Sequence, residues 1–316
     1  MQEETTTPLL EVEHLTVSFS RYAKGFRRIT LPGVRYLSFT LNKGELLAVV
    51  GASGSGKSLL AHRLLGILPN NANAGGRVLY KGQPLTNALA EKLRGSQIML
   101  VPQNVSSLDP LMQVERQVKG EAKGKKADTR ARKALRRYGL GEPVEKMYPF
   151  QLSGGMARRV LIACAVQTQP ELVVADEPTP GLHPEAVSRV LQHFKEIAQD
   201  GAGVLLITHD LEAALEVADR VIVLYAGAAV EEAPADCFAQ EQLLQHPYTK
   251  ALWRASPNHG FEPLAGTQPV GQIKTHSCLF YSRCPQAVPE CERTDIPYQK
   301  TERGYVRCIL AGGMNK

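Results

Sequence analysis

The sequence predicts an α/β fold: a mainly parallel core sheet flanked by helices, preceded by an antiparallel β subdomain, interrupted by a helical subdomain and followed by a small cysteine-containing extension. Three observations predict it. Short apolar runs that read as buried strands (Leu46–Val50, Leu172–Ala175 and Val204–Thr208) alternate with helical segments, the pattern of parallel strands joined by crossovers. Residues 9–19 and 34–41 instead carry apolar side chains at alternate positions, as antiparallel strands do when one face is buried. Between about 108 and 169 no buried strand is evident and the pattern is helical.

Hydrophobic residues make up 43% of the 316 positions and charged residues 22%, so the chain can bury a sizeable core. The longest apolar run, Val221 to Val230, is about half of what a bilayer span requires. The start, Met1-Gln2-Glu3-Glu4, is acidic and lacks the zones of a signal peptide. These features place the protein on the cytosolic side, at a membrane only through a partner. The net charge of +6 suits nucleotide phosphates, nucleic acid or a lipid surface without choosing among them. A basic run (Lys119, Lys123, Lys125, Lys126, Arg130, Arg132, Lys133, Arg136 and Arg137) reads first as a solvated helix face and loop, and second as a nucleic-acid or lipid contact.

The chemistry starts at the end of the first buried strand. Gly51-Ala52-Ser53-Gly54-Ser55-Gly56-Lys57-Ser58 fits the phosphate-binding loop G-x-x-x-x-G-K-[ST], or P-loop. Glycines let backbone N–H groups turn inward around phosphates, and the next helix directs its positive N-terminus at the same anion. Lys57 is expected to reach the β- and γ-phosphates of a nucleotide, and the Ser58 hydroxyl to ligate Mg²⁺. Leu172-Val173-Val174-Ala175-Asp176-Glu177 is an apolar strand ending in two carboxylates. Asp176 is placed to hold Mg²⁺ through water, and Glu177 to act as general base on the attacking water.

Leu152-Ser153-Gly154-Gly155-Met156, twenty residues before that strand, resembles the signature sequence of ATP-binding cassette (ABC) proteins. The resemblance covers about residues 9–310 and implies an ABC-type nucleotide-binding domain over 1–245, using ATP and Mg²⁺. Gln103, in Leu100-Val101-Pro102-Gln103, resembles the Q-loop glutamine that senses Mg²⁺ and the attacking water. His209, in Ile207-Thr208-His209-Asp210, resembles the switch histidine at the γ-phosphate. Phe19 or Tyr22 corresponds to the aromatic residue that stacks on adenine. The family mechanism pairs two cassettes head to tail, so Ser153, Gly154 and Gly155 would bind the γ-phosphate held by a partner. One departure stands out: Pro178-Thr179-Pro180-Gly181-Leu182-His183 has histidine where the family usually carries an aspartate that reaches the partner's P-loop. That implies a heterodimer with two unequal sites.

His246-Pro247-Tyr248-Thr249-Lys250-Ala251-Leu252, with Tyr148-Pro149-Phe150 before the signature, resembles dipeptide, oligopeptide and nickel importer ATPases, whose C-terminal extension would occupy 246–316. Cys278, Cys284, Cys291 and Cys308 follow with five, six and sixteen residues between them. This is similar to a tail associated with a [4Fe–4S] cluster, and proline after a ligand cysteine (Pro285) recurs in such sites. Structural zinc and an unmetallated or disulfide-bonded segment are the alternatives. Cys164 reads as a core residue.

The resemblance thus implies the ATP-hydrolysing subunit of an importer at the cytoplasmic face of the membrane, carrying peptides or, alternatively, nickel or a metal chelate. Its partners would be a second ATPase subunit, two permeases and an extracytoplasmic binding protein, with no nucleic acid. The competing class is a soluble cassette ATPase acting on DNA or ribosomes. Against it stand a single cassette, no long coiled-coil insertion and the importer-type tail. A nucleotide kinase or GTPase shares the P-loop but has no use for Ser153-Gly154-Gly155.

Overall fold

The structure, a computed structural model, describes residues 7–22, 28–269, 277–293 and 295–311. The acidic start (residues 1–4) and parts of the C-terminal extension lie outside these. Two long strands, β1 (Leu10–Tyr22) and β2 (Arg28–Leu41), pair antiparallel with Leu10 opposite Leu41. Both extend beyond the alternating stretches that predict them. After β3 (Leu46–Val50) and α1 (Lys57–Leu64), β4 (Ala72–Tyr80) joins β1 on its other edge and β5 (Gln83–Pro84) follows, giving the order β2-β1-β4-β5. The sequence reading has no strand at β4. Its exposed first half, with Gly75 and Gly76, breaks the apolar alternation.

A short helix, α2 (Asn87–Leu93), capped by Thr86, leads to β6 (Ile98–Val101). Between β6 and β7 (Leu172–Asp176) the described residues form helices and turns only: α3 (Val114–Lys119), α4 (Lys125–Arg137), α5 (Glu142–Glu145) and α6 (Gly154–Val166). In α4, Ala127, Ala131 and Leu135 are buried at helical spacing. Within the basic run, Lys119 pairs with Asp128, Arg132 with Glu115 and Glu145, Arg136 with Glu142 and Arg137 with Glu196. Those cations belong to an ion-paired helix surface.

The chain then adds α7 (Pro184–Gln199), β8 (Gly203–Thr208), α8 (Leu211–Leu215), β9 (Arg220–Tyr225) and β10 (Ala228–Pro234). The apolar run Val221–Val230 is therefore a hairpin rather than one element. Ala226 (φ 48°) and Gly227 (φ 88°) both take left-handed conformations at the turn, as a two-residue hairpin requires. Past α9 (Pro247–Arg254) and α10 (Glu290–Arg293), a last hairpin, β11 (Gln299–Thr301) and β12 (Gly304–Val306), pairs onto β10. The extension thereby shares the core sheet, whose order is β11-β12-β10-β9-β3-β8-β7-β6. β9, β3, β8, β7 and β6 run parallel.

Both faces of the sheet are covered. Leu46, Ala48, Val50, Val173, Ala175, Val204 and Leu206 enter a core shared with the helical subdomain, α7 and α8. Leu47, Val49, Leu172, Val174, Leu205 and Ile207 enter a second core shared with the antiparallel sheet and α1. Burial on both sides explains why these strands read as continuous apolar runs. Because β3, β7 and β8 are parallel, the residues that follow them emerge at one end of the sheet. Ligands of open α/β sheets bind at that end.

Candidate active site

Packing demands glycine at two points of the loop after β3. A Cβ on Gly51 would lie 2.4 Å from the Leu224 carbonyl oxygen, and one on Gly56 would lie 2.3 Å from that of Gly33. Gly56 also has φ 94°, a left-handed conformation at the N-cap of α1. The first turn of α1 contains no acidic residue, so its positive end is free to face an anion.

Lys57 is only 6% exposed, and its Nζ donates to the carbonyls of Gly51 (2.7 Å) and Ala52 (3.2 Å). The same Nζ lies 3.7 Å from Glu177 Oε1. Burial pushes the Lys57 ammonium pKa down, opposed by the carboxylates of Glu177 and Asp176. Ser58 Oγ donates to Asp176 Oδ1 at 3.2 Å. Burial raises the Asp176 pKa, while that hydrogen bond acts to lower it. A hydroxyl and a buried carboxylate side by side beneath a phosphate loop form a donor set that fits Mg²⁺.

Glu177 is 7% exposed, and its Oε2 lies 2.8 Å from His209 Nδ1, whose side chain is largely exposed. The backbone of Glu177 is left-handed (φ 48°), unusual for a residue with a side chain.

An open cavity of about 700 Å³ brings together Phe19, Ser53, Gly54, Gly56, Lys57, Ser58, Gln103, Glu177 and His209. Gly51, Ser55 and Asp176 do not line it, and all three are buried. Of the two aromatic candidates, Phe19 lines the cavity, whereas Tyr22 is 73% exposed and does not. Leu31, Pro32 and Gly33 from β2 complete the wall. The sequence reading misses them because its second strand starts at 34. The crowding of Gly33 against Leu59 and Gly56 is visible only in three dimensions.

The signature residues are elsewhere. Ser153 caps α6, its Oγ accepting the Met156 N–H at 3.3 Å, and neither Gly154 nor Gly155 lines the cavity. A Cβ on Gly154 would meet nothing within 4 Å, and one on Gly155 nothing closer than 3.5 Å. Packing within this chain therefore does not account for their being glycine. His183 stands at the N-cap of α7 without a side-chain capping bond, beside a recess also lined by Gly155, Arg159 and Arg189.

The four cysteines of the C-terminal extension, Cys278, Cys284, Cys291 and Cys308, are free thiols. Cys278 N–H donates to Cys291 O at 2.7 Å, linking two of the four. Burial pushes the Cys278 thiol up to about 11, helped by the neighbouring Cys291, Cys284 and Cys308. Backbone N–H groups oppose these rises: Phe280 donates to Cys278, Gln286 to Cys284, and Leu310 and Ala311 to Cys308. The four thiols are thus neighbours. Among the described residues, however, no three His, Cys, Asp or Glu side chains converge closely enough to hold a single metal ion.

Comparison with known proteins fits this geometry. Residues 34–180 match the family described as ABC transporter, and residues 230–291 match the oligopeptide/dipeptide transporter C-terminal region. The chain is 38% identical to the dipeptide transport ATP-binding protein DppD of Bacillus subtilis, over 90% of this chain and 89% of that protein. The chain belongs to the ATP-binding subunits of ABC transporters. As an ABC ATPase it uses ATP and Mg²⁺. It is also 35% identical to the oligopeptide transport ATP-binding protein AppD of Bacillus subtilis, over 96% of both chains. Among solved structures, the ATP-binding cassette MJ0796, a dimer bound to ADP and Pi, aligns with a TM-score of 0.63 and 26% identity. The alignment covers 72% of this chain and 98% of that one. Among the described residues, no helix is long and apolar enough to cross a membrane.

Proposed function

We propose that this ABC ATPase powers import of dipeptides or oligopeptides, coupling ATP binding and hydrolysis to uptake. The observation that carries the ATPase reading is the convergence of Lys57, Ser58, Gln103, Glu177 and His209 on one cavity. The cargo reading is supported by the match of residues 230–291 to the oligopeptide/dipeptide C-terminal region and by the peptide-transport names of the relatives. Nothing in the site or in those relatives speaks for nickel or a metal chelate.

In this reading the loop Gly51–Ser58 holds the phosphates through its backbone N–H groups, Lys57 neutralises the β- and γ-phosphates, and Phe19 stacks on the base. Ser58 and Asp176, with Gln103 nearby, would hold Mg²⁺, which supplies charge neutralisation between the phosphates. Glu177 takes a proton from the attacking water, and His209, against its Oε2, orients it and contacts the γ-phosphate. Ser153, Gly154 and Gly155 face a partner cassette's nucleotide. The open space at Gly154, and the absence of any close contact at Gly155, let another chain's phosphates approach the backbone. The partner is a different ATPase subunit, because His183 replaces the aspartate that would serve the partner's site. Two permeases and an extracytoplasmic binding protein complete the machine, and this chain sits peripherally on the cytoplasmic face of the membrane.

The decisive experiment reconstitutes the chain in lipid with its candidate permeases and partner ATPase. Peptide-loaded binding protein is expected to stimulate ATP turnover severalfold over the unloaded protein. Failure to assemble with those permeases, with activity stimulated by nucleic acid instead, would overturn the transport reading.

Cys278, Cys284, Cys291 and Cys308 are proposed to hold a [4Fe–4S] cluster with a structural or regulatory role. Neighbouring thiols receiving backbone N–H bonds fit a thiolate-bound group. Protein purified without oxygen should contain iron and acid-labile sulfide in equal amounts, lost in a Cys284→Ser variant. Zinc without sulfide would establish the alternative.

A further inference from the structure

Arg158 lies in α6, five residues beyond the Ser153 cap, and is only 7% exposed. Its helix neighbours Ala157, Val160, Leu161 and Ile162 belong to the apolar core. A guanidinium in such surroundings is costly unless its donors are used. One nitrogen, Nη1, donates both to the Pro102 carbonyl at 3.0 Å and to the Glu177 carbonyl at 3.3 Å. The Nε is buried without a partner among the described residues. The group is therefore poorly satisfied for a purely structural anchor, yet it is well aimed at two particular backbone positions.

Those positions carry the chemistry. Pro102 immediately precedes Gln103, and the Glu177 carbonyl belongs to a residue held in a left-handed conformation. The Glu177 N–H is tied to Ile207 O at 2.8 Å, so Arg158 holds the other side of the same strained residue. Three elements meet at this guanidinium: the end of β6, the end of β7, and the helix that begins with the outward-facing Ser153-Gly154-Gly155.

We propose that Arg158 is a positioning residue for hydrolysis, fixing the backbone that carries Gln103 and Glu177 relative to the signature helix; this rests on the roles given to those residues above. A displacement of α6 reaches both carbonyls through one side chain. The attachment of a partner's nucleotide at Ser153–Gly155 is thereby communicated to this chain's own catalytic base. Lysine can also donate to two carbonyls, but from a single ammonium and without the planar fork.

The test uses the full complex with its partner ATPase and permeases in lipid, comparing wild type, Arg158→Met, Arg158→Lys and Glu177→Gln. Arg158→Met keeps bulk and removes every donor. Its kcat is expected to fall about 10- to 100-fold with the KM for ATP within about twofold, as misplacement of reacting groups predicts. Arg158→Lys is expected to recover most of that loss. Should Arg158→Met fail to fold, Arg158→Gln, whose amide has two N–H donors but ends short of the Nη1 position, carries the same decision on the same kcat and KM criteria. A Met or Gln variant with kcat within about twofold of wild type would overturn the proposal. So would a parallel change in KM and kcat that Lys does not rescue. Persistent turnover in Glu177→Gln would instead overturn the catalytic roles on which the proposal rests, so the two failures are distinguishable.

Discussion

Replacing Glu177 with glutamine is expected to reduce ATP turnover by about 10²- to 10⁴-fold while leaving nucleotide binding intact. The carboxylate lies 2.8 Å from His209 Nδ1 and 3.7 Å from Lys57 Nζ, at the edge of the phosphate cavity. Glutamine preserves the shape and a hydrogen bond to His209 but cannot accept a proton from water. The cradle formed by Gly51–Ser58 is untouched, and Lys57 loses a competing carboxylate, so ATP should bind at least as well. The closed, ATP-bound dimer should accumulate because the step that reopens it fails. Single-turnover hydrolysis and the ATP-dependent shift in assembly size measure both halves. Turnover within about tenfold of wild type would remove Glu177 from the role of base.

Lys57→Ala should fail in the opposite way, by losing ATP. A charge-assisted hydrogen bond is worth about 1.5–3 kcal/mol, so affinity should fall roughly 10- to 150-fold. Lys57 is buried and donates to the Gly51 and Ala52 carbonyls, so the loop also loses an internal tie. Its removal takes a cation from beside the buried Glu177 carboxylate, and thermal stability should drop as well. Equilibrium binding of ATP and a melting curve separate the two effects. If Lys57→Ala and Glu177→Gln both bound ATP poorly, the division between binding and water activation would be wrong.

The contrast between these two residues shows what was legible without a structure. Lys57 and Ser58 belong to a contiguous loop whose spacing is itself the chemistry, and Asp176 and Glu177 end an apolar strand that shows in any hydropathy reading. Gln103 and His209 are single residues with no local signal of their own, and only the order of motifs in the family marks them. Arg158 has no sequence signal beyond a cation in an apolar helix, and its role emerges only when the ends of β6 and β7 are seen beside it.

Phe19 and Tyr22 show the limit from another side. They are three residues apart in one strand, so their side chains point to opposite faces. Alternation therefore says that they differ in direction, but not which direction holds the nucleotide. Likewise Val221–Val230 has the composition of one buried segment. The turn at Ala226–Gly227 is hidden because alanine is not a usual residue for a positive φ.

By itself the sequence determined the α/β class, the phosphate loop and the acidic strand end, because each is a local pattern in which residue spacing carries the physics, whereas the signature was legible only through its family resemblance. The tertiary structure decided which aromatic faces the cavity, that β2 supplies Leu31–Gly33, that the extension joins the core sheet, and that Ser153–Gly155 do not line this chain's own cavity. Those outcomes depend on which faces and ends of distant segments meet. That is set by burying both sides of the sheet at once, a constraint that no local window contains.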